Sequence, residues 1–180
     1  LATREIVITT PYFIPNDSLI SAMRTAVLRG VKVTLILPRR SDSRIVGLAQ
    51  RSYYAELLAF GVEIFRYQKK FLHSKFVRVD DSIAVIGSSN MDLRSFELNA
   101  EISLIGYGDE LANDLKQVET TYRKQCIVVD PAIWNDRPLY VKVAENCARA
   151  ASRLPMTPGF VLSAASRYRD PLPPTYRAVT

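Results

Sequence analysis

Twice in the first part of the chain a helical pattern closes on a glycine that runs straight into a β-branched stretch, as Gly30-Val31-Lys32-Val33 and as Gly61-Val62-Glu63-Ile64. A helix that ends in glycine and feeds a strand is half of a strand–helix–strand unit, and two in succession require a sheet that is at least partly parallel. Residues 5–14 (EIVITTPYFI) read as a buried strand closed by Pro15. Asn16 is placed as the N-cap of the following helix, with Asp17 in its first turn. Leu19, Ile20, Met23, Ala26 and Val27 then recur at helical spacing, and Gly30 takes the position just past the helix end. VKVTLIL is a strand stopped by Pro38. Ser41, Asp42 or Ser43 caps a second helix that carries Ile45, Leu48, Ala49, Tyr53 and Leu57 on one face. Gly61 ends it, and VEIFRY is the next strand. The strands are almost continuously apolar, which predicts helices on both faces of the sheet.

After this repeat the pattern changes. Residues 72–80 and 82–90 read as two strands joined at Asp80-Asp81-Ser82, hence as a hairpin, and 100–107 as a further strand. Residues 110–125 and 134–153 read as helices. From Leu154 onward Pro155, Pro158, Pro171, Pro173 and Pro174 punctuate a stretch where little regular structure is expected beyond a short turn around 160–166. The expected organisation is a catalytic half-domain over 1–130, an amphipathic helix over 131–154 and a Pro/Arg-rich tail over 155–180. In the last helical pattern Leu139, Val143, Cys147, Ala151 and Leu154 fall near one face, with Lys142, Arg149 and Arg153 off that stripe.

A chain of 180 residues can bury a real core. Its net charge of +6 favours anionic partners, nucleic acid or an anionic lipid surface, without choosing between them. Cys126 and Cys147 are too few for a disulfide framework and have no metal-site spacing, so both read as reduced thiols on apolar faces. No run approaches the roughly 18 apolar residues of a membrane span, and no signal peptide is recognisable. A core strand pattern begins as early as Glu5. This predicts a chain cut from a longer parent, with any membrane anchor of that parent lying elsewhere.

The chemistry concentrates around the only histidine, His73. Lys75 follows two residues later on the predicted strand, and a period of two puts both side chains on one face. The pair suits a phosphate. Lysine supplies fixed charge and donors, and imidazole titrates near neutral pH and can act as nucleophile or proton carrier. Ser88 and Asn90 end the partner strand with the same spacing and add neutral donors, and Gly87 before them permits close backbone approach. Glu101 opens the next strand, where a carboxylate could hold the imidazole by its second nitrogen. Taken singly each residue has a plain structural explanation. The combination is what singles them out.

The stretch His73-x-Lys75-x4-Asp80-x6-Gly87-Ser88-x-Asn90 resembles the HKD motif of the phospholipase D superfamily at each fixed position. The continuation Met91-Asp92-Leu93-Arg94-Ser95-Phe96, then Leu98-Asn99-x-Glu101, is similar to the C-terminal catalytic half of bacterial cardiolipin synthases. So are Pro11-Tyr12-Phe13-Ile14-Pro15 and Trp134-x3-Pro138-Leu139. The resemblance covers roughly residues 5–150. It implies an α/β fold whose mixed, largely parallel sheet is flanked by helices on both faces. It implies His73 as nucleophile or general acid, Lys75, Asn90 and Ser88 around the phosphate, and Glu101 orienting His73. Asp80 is expected to be structural, since it lies five residues past Lys75 at a strand end. The activity implied is transfer of a phosphatidyl group between glycerophospholipids through a phosphohistidine, with phosphatidylglycerol as substrate. No metal or cofactor is expected, because paired lysines supply the charge. One imidazole cannot attack phosphorus and protonate the in-line leaving group from the opposite side, so a second HKD half is needed, from the parent chain or from a partner copy. The implied location of the parent is the bacterial cytoplasmic membrane, at a membrane surface. The alternative within the same fold is a hydrolase, either a phospholipase D or a dimeric nuclease acting on nucleic acid.

Overall fold

The computed structural model describes residues 2–69, 72–92, 95–96 and 99–153. The expected tail over 155–180 lies outside them. Nine strands and six helices are described: β1 Glu5–Thr9, β2 Phe13–Ile14, α1 Asp17–Leu28, β3 Lys32–Pro38, α2 Arg44–Ser52, α3 Tyr54–Ala59, β4 Glu63–Tyr67, β5 Phe76–Val79, β6 Ile83–Gly87, β7 Met91–Asp92, β8 Ser103–Tyr107, α4 Asp109–Arg123, β9 Cys126–Val128, α5 Pro131–Asn135 and α6 Leu139–Arg153. Seven strands form one sheet in the order β8-β6-β5-β1-β3-β4-β9, and β2 pairs with β7 in a separate ribbon.

The glycine-closed repeat does produce the parallel pairs β1–β3 and β3–β4. Asn16 accepts from the Leu19 amide at 2.9 Å, and Gly30 and Gly61 sit at φ +82° and +99°, conformations that favour glycine. The sheet is therefore α/β and mixed, but "largely parallel" holds only for its centre. The pairs β1–β5, β5–β6, β6–β8 and β4–β9 are all antiparallel; β5–β6 is a tight hairpin, whereas β1–β5 and β4–β9 join strands far apart in the chain.

Alternation along the strands sorts the core into two layers. Ile8, Val33, Leu35, Leu37 and Ile64 face a large cluster that also takes in Met23 and Ala26 of α1, Ala49 of α2, Tyr54 and Leu57 of α3, Trp134 of α5 and Ala148 of α6. Val7, Ile36 and Phe65 point to the other face, where Tyr122 of α4 packs, and Leu115 of α4 covers Phe76 and Ala84. Helices thus cover both faces, and residues 131–153 are built into the main core.

Several elements differ from the sequence expectation. The strand over 5–14 breaks after Thr9: Pro11 has no amide to donate, the Thr10 hydroxyl donates to the Tyr12 carbonyl at 2.9 Å, and β2 leaves for the ribbon with β7. The second helix breaks at Tyr53, where Ser52 Oγ donates back to the Ala49 carbonyl at 2.7 Å. The helix over 134–153 is divided between α5, capped by Asp130 with Pro131 in its first turn, and α6 beyond Pro138. Residues 72–75 precede β5 without joining a ladder, and Glu101 stands before β8. Cys126 is buried, whereas Cys147 is exposed, and both are free thiols.

The expected apolar stripe of the last helix faces outward. Leu139, Val143 and Cys147 are exposed, as is Tyr140 beside them, while Val141, Glu145 and Ala148 are buried. The reason is electrostatic. Glu145 takes both carboxylate bonds from Arg137 Nη1, at 2.7 and 2.9 Å, and faces Arg51 Nε of α2 at 3.3 Å. Burying one member requires burying all three, and this fixes which face of α6 turns inward. Arg149 packs as well, over the Tyr53 ring at 3.9 Å and against Glu56 at 3.3 Å. Leu154 and the Arg153 side chain lie outside the described residues.

Asp80 holds the β5–β6 turn. Its carboxylate accepts from the amides of Thr3, Arg4 and Glu5 at 2.9, 2.8 and 2.8 Å and from the Thr3 hydroxyl at 2.9 Å. Desolvation pushes its pKa upward, but the four donors outweigh it and hold the carboxyl well below the usual carboxylate range. Asp80→Ala leaves these donors unanswered and puts alanine at φ +51°, so a loss of about 2–4 kcal/mol is expected in urea unfolding at pH 7. Because the folded pKa is lowered, the contribution is complete above about pH 4 and fades as the pH falls through the folded value. A wild-type minus Asp80→Asn stability difference that grows towards low pH would contradict this assignment.

Candidate active site

Three segments meet at the edge of the sheet where the parallel strands end. β5 runs antiparallel to β1, so residues 72–75, just before it, lie beside Thr9 at the C-terminal end of β1. β6 returns antiparallel to β5 and ends at Gly87 on that same edge, and β8 starts there opposite Gly87. The join is direct: the Gly87 amide donates to the Lys75 carbonyl at 3.2 Å, and the Ser88 amide donates to the Ile102 carbonyl at 2.9 Å.

His73 and Lys75 share a side although they lie in no ladder. Leu72 and Phe76 are buried against the α4 layer, and Ser74 bonds to the Tyr122 hydroxyl of α4 at 2.6 Å. These three residues turn to α4, so the alternation of extended backbone sends His73 and Lys75 the other way. His73 is exposed and Lys75 half-buried, with Lys75 Nζ donating to the His73 carbonyl at 3.1 Å.

The carboxylate of Glu101 is the centre of the donor network. Its Oε2 accepts from Ser88 Oγ in a short bond, and its Oε1 accepts from Asn99 Nδ2 at 3.2 Å. The Ser88 hydroxyl in turn receives the Ile102 amide at 3.0 Å. Ser88, Asn99, Ser95 and Lys75 all favour the ionised form and lower the Glu101 pKa. For Lys75, desolvation lowers the pKa and the charge of Glu101 opposes it. Desolvation is the larger influence, so the Lys75 pKa lies below the ordinary lysine value.

Asn90 lies on the same segment. Its amide donates to Ser95 Oγ at 3.1 Å, while its side-chain Oδ1 is buried with no hydrogen-bond partner. The Ser95 amide is tied to Asp92 at 2.8 Å, and the Met91 amide donates to the Thr10 hydroxyl at 3.3 Å. Through β2–β7 pairing the segment around Pro11–Pro15 thus becomes the neighbour of the motif's end. Of the motif continuation, residues 93–94 and 97–98 lie outside the described residues.

Of the sequence-predicted site residues, Ser88 is hydrogen-bonded to Glu101 and Lys75 feels the charge of Glu101, and His73 and Asn90 flank them on the same segments. Asp80 lies at the opposite end of β5. Sequence reasoning named Ser95 and Asn99 only within the longer resemblance and gave them no role, and it did not name Thr10; in the fold they position Asn90, Glu101 and Met91. No group of His, Cys, Asp and Glu suited to a metal ion occurs among the described residues.

Residues 1–120 match the family described as cardiolipin synthase, PLD-like domain. The cardiolipin synthases A of Yersinia pseudotuberculosis and of Klebsiella pneumoniae are each 42% identical to the chain over 145 residues, which is 81% of this chain and 30% of theirs. The chain therefore spans less than a third of the length of these relatives. Among solved structures, the phospholipase D family member Nuc from Salmonella typhimurium superposes with a TM-score of 0.62 at 20% identity, over 71% of this chain and 83% of its own. Phosphatidylserine synthase from Haemophilus influenzae gives a TM-score of 0.62 at 18% identity, over 84% of this chain and 40% of its own. At these identities the two structures show the shared fold.

Gly87 is where the three segments press together. A Cβ there would stand 2.6 Å from the Ile102 carbonyl oxygen and 2.5 Å from Ser103 Oγ. The hydroxyl can turn aside, but the carbonyl is backbone and cannot. Gly87→Ala is expected to cost about 1–3 kcal/mol in denaturant unfolding and to push β8 away from β6. An unchanged unfolding midpoint would show that the close approach is not required.

Proposed function

The chain belongs to the cardiolipin synthase, PLD-like domain family, and from that premise we propose that it carries one half of a phosphatidyltransferase active site. The observation that carries the reading is the meeting of His73, Lys75, Ser88, Asn90 and Glu101 on three segments at one sheet edge. The reaction takes phosphatidylglycerol as donor. An imidazole nitrogen attacks phosphorus, the bond from phosphorus to the glycerol headgroup breaks, and a second imidazole protonates the departing alkoxide. The same second imidazole then removes the proton from the hydroxyl of the incoming lipid, which attacks the phosphohistidine and frees the first histidine. His73 fills one of these roles. Lys75 and the side-chain amide nitrogen of Asn90 hold the non-bridging oxygens, with Ser88 beside them. Glu101 orients His73 and balances the charge of Lys75 and of the imidazolium.

The other imidazole comes from a second half, supplied by the parent chain or by another copy. The exposed edge of the sheet supports this reading. β8 is an outer strand next to Glu101; Leu104, Ile105 and Tyr107 on it, and Ile102 just before it, are all exposed. An open, apolar edge strand is a surface that proteins normally cover. The solvent-facing stripe Leu139, Tyr140 and Val143 on α6 supports contact with the lipid surface that holds the substrate.

In the full chain with its second half present, His73→Ala should lower cardiolipin formation from phosphatidylglycerol by at least about 10²-fold, followed by mass spectrometry of the lipid products. An acid-labile lipid–protein adduct that disappears in the same variant makes His73 the nucleophile, and one that accumulates makes it the proton donor. Undiminished turnover would end the proposal. For the stripe, Leu139→Ser/Val143→Ser is expected to weaken co-sedimentation with anionic liposomes while leaving the unfolding midpoint in place, since neither side chain is buried. Equal sedimentation of variant and wild type would remove the docking role.

A further inference from the structure

Residues 72–75 join no ladder, so the sheet does not by itself decide which way His73 and Lys75 face. A slip of this segment by one residue would exchange its two sides. Leu72, Ser74 and Phe76 would turn to the site, and His73 and Lys75 would enter the α4 layer. Leu72 and Phe76 oppose such a slip at the two ends, because both are buried. Between them stands Ser74, whose small polar side chain gains little from apolar burial.

Tyr122, near the C-terminal end of α4, serves all three positions. Its ring packs against the cluster that holds Leu72 and against the one that holds Phe76 and Ala84, and its hydroxyl lies 2.6 Å from Ser74 Oγ. For packing alone a phenylalanine would serve. The hydroxyl adds one directional bond at the middle of the segment, where the apolar anchors have no hold. Tyr122 is itself held still. The Tyr67 ring meets it edge-on, with centroids 5.4 Å apart and planes at 72°. The Tyr67 hydroxyl donates to Gln125 Oε1, the Gln125 amide donates to the Tyr122 carbonyl, and the Gln68 amide donates to the Gln125 carbonyl, each at 2.9 Å. The end of α4 is thereby bound to the end of β4, and Tyr122 presents its hydroxyl from a frame anchored in the main sheet.

We infer that Tyr122 is a positioning residue for the chemistry at His73: through Ser74 it fixes the frame of residues 73–75 and so holds the imidazole and the lysine ammonium on one side. It stands across the segment from the site and acts only through Ser74. The chemical step is where this matters, since an imidazole displaced by about 1 Å from its line of attack or of proton transfer can cost about 10²-fold. The consequence for lipid transfer rests on the phosphatidyltransferase reading; the hold on the His73 ring does not.

His73 is the only histidine of the chain, so a single imidazole Cε1–Hε1 correlation in the NMR spectrum reports the site. It is followed in the full chain, with unfolding midpoints measured alongside. Tyr122→Phe and Ser74→Ala should each displace or broaden the correlation. The double variant should add nothing to either single one, because both remove the same bond. Ser74→Thr keeps the hydroxyl and should leave the correlation at its wild-type position. Tyr67→Phe keeps its ring behind Tyr122 and loses only the bond to Gln125, so the correlation should stay in place even where the midpoint falls. In the full chain with its second half present, Tyr122→Phe should lower kcat for transfer from phosphatidylglycerol at least about tenfold, with KM within about twofold. An unmoved His73 correlation in Tyr122→Phe and Ser74→Ala, or the same displacement in Tyr67→Phe, would overturn the inference, as would an unchanged kcat in the active protein. Absence of turnover in the wild type counts against the phosphatidyltransferase reading alone, and the His73 correlation then decides the positioning role by itself.

Discussion

The carboxylate of Asp80 fixes the register from which the site follows. By gathering three consecutive amides at residues 3–5 it clamps the start of β1 to the turn between β5 and β6. Arg78 completes the clamp. It is buried, and reaches Glu119 of α4 through Nε and Nη2 at 2.8 Å each, Glu5 of β1 at 2.8 Å, and the Asp80 carbonyl through a short bond. A buried guanidinium with this many charged partners tolerates little displacement, since removing any one leaves charge uncompensated away from water. With that end of β5 fixed, its other end must open beside the end of β1, and Lys75 has one place to go.

The same economy shapes the active edge. Antiparallel pairing turns sequence distance into proximity: Lys75, Gly87 and Ile102 are far apart along the chain, yet their backbones are joined at 3.2 Å and at 2.9 Å through Ser88. These are backbone contacts, and they bring the side chains of His73, Lys75 and Ser88 to one edge of the sheet. Glu101 then gathers Ser88 and Asn99 and sets the local charge.

Charge also decided the orientation of the last helix. Area alone would have turned Leu139 and Val143 inward, because burying each is worth about 1.5–3 kcal/mol. The Arg137–Glu145–Arg51 group overrides this, with Arg137 stacked over Trp134 at 3.5 Å and both Arg137 and Glu145 buried. The consequence is an apolar stripe, Leu139, Tyr140 and Val143, that faces outward.

By itself the sequence determined the alternation of strands and glycine-closed helices, the Asn16 cap, the β5–β6 hairpin and the identity of the motif residues. These are local matters of period, capping and spacing, and neighbouring residues are enough to settle them. It determined too that Asp80 was ill placed for a phosphate near Lys75, since extended residues carry it to the far end of the strand. Tertiary structure alone decided the antiparallel flanks of the sheet, the break after Thr9, the supporting roles of Asn99 and Ser95 and the direction of the α6 stripe. Each of these depends on partners distant in the chain. Glu145 lies within the last helical pattern, and only the fold shows Arg51 and Arg137 closing around it. A periodic pattern records which positions prefer an apolar neighbour, but it carries no record of which distant charges must be neutralised together.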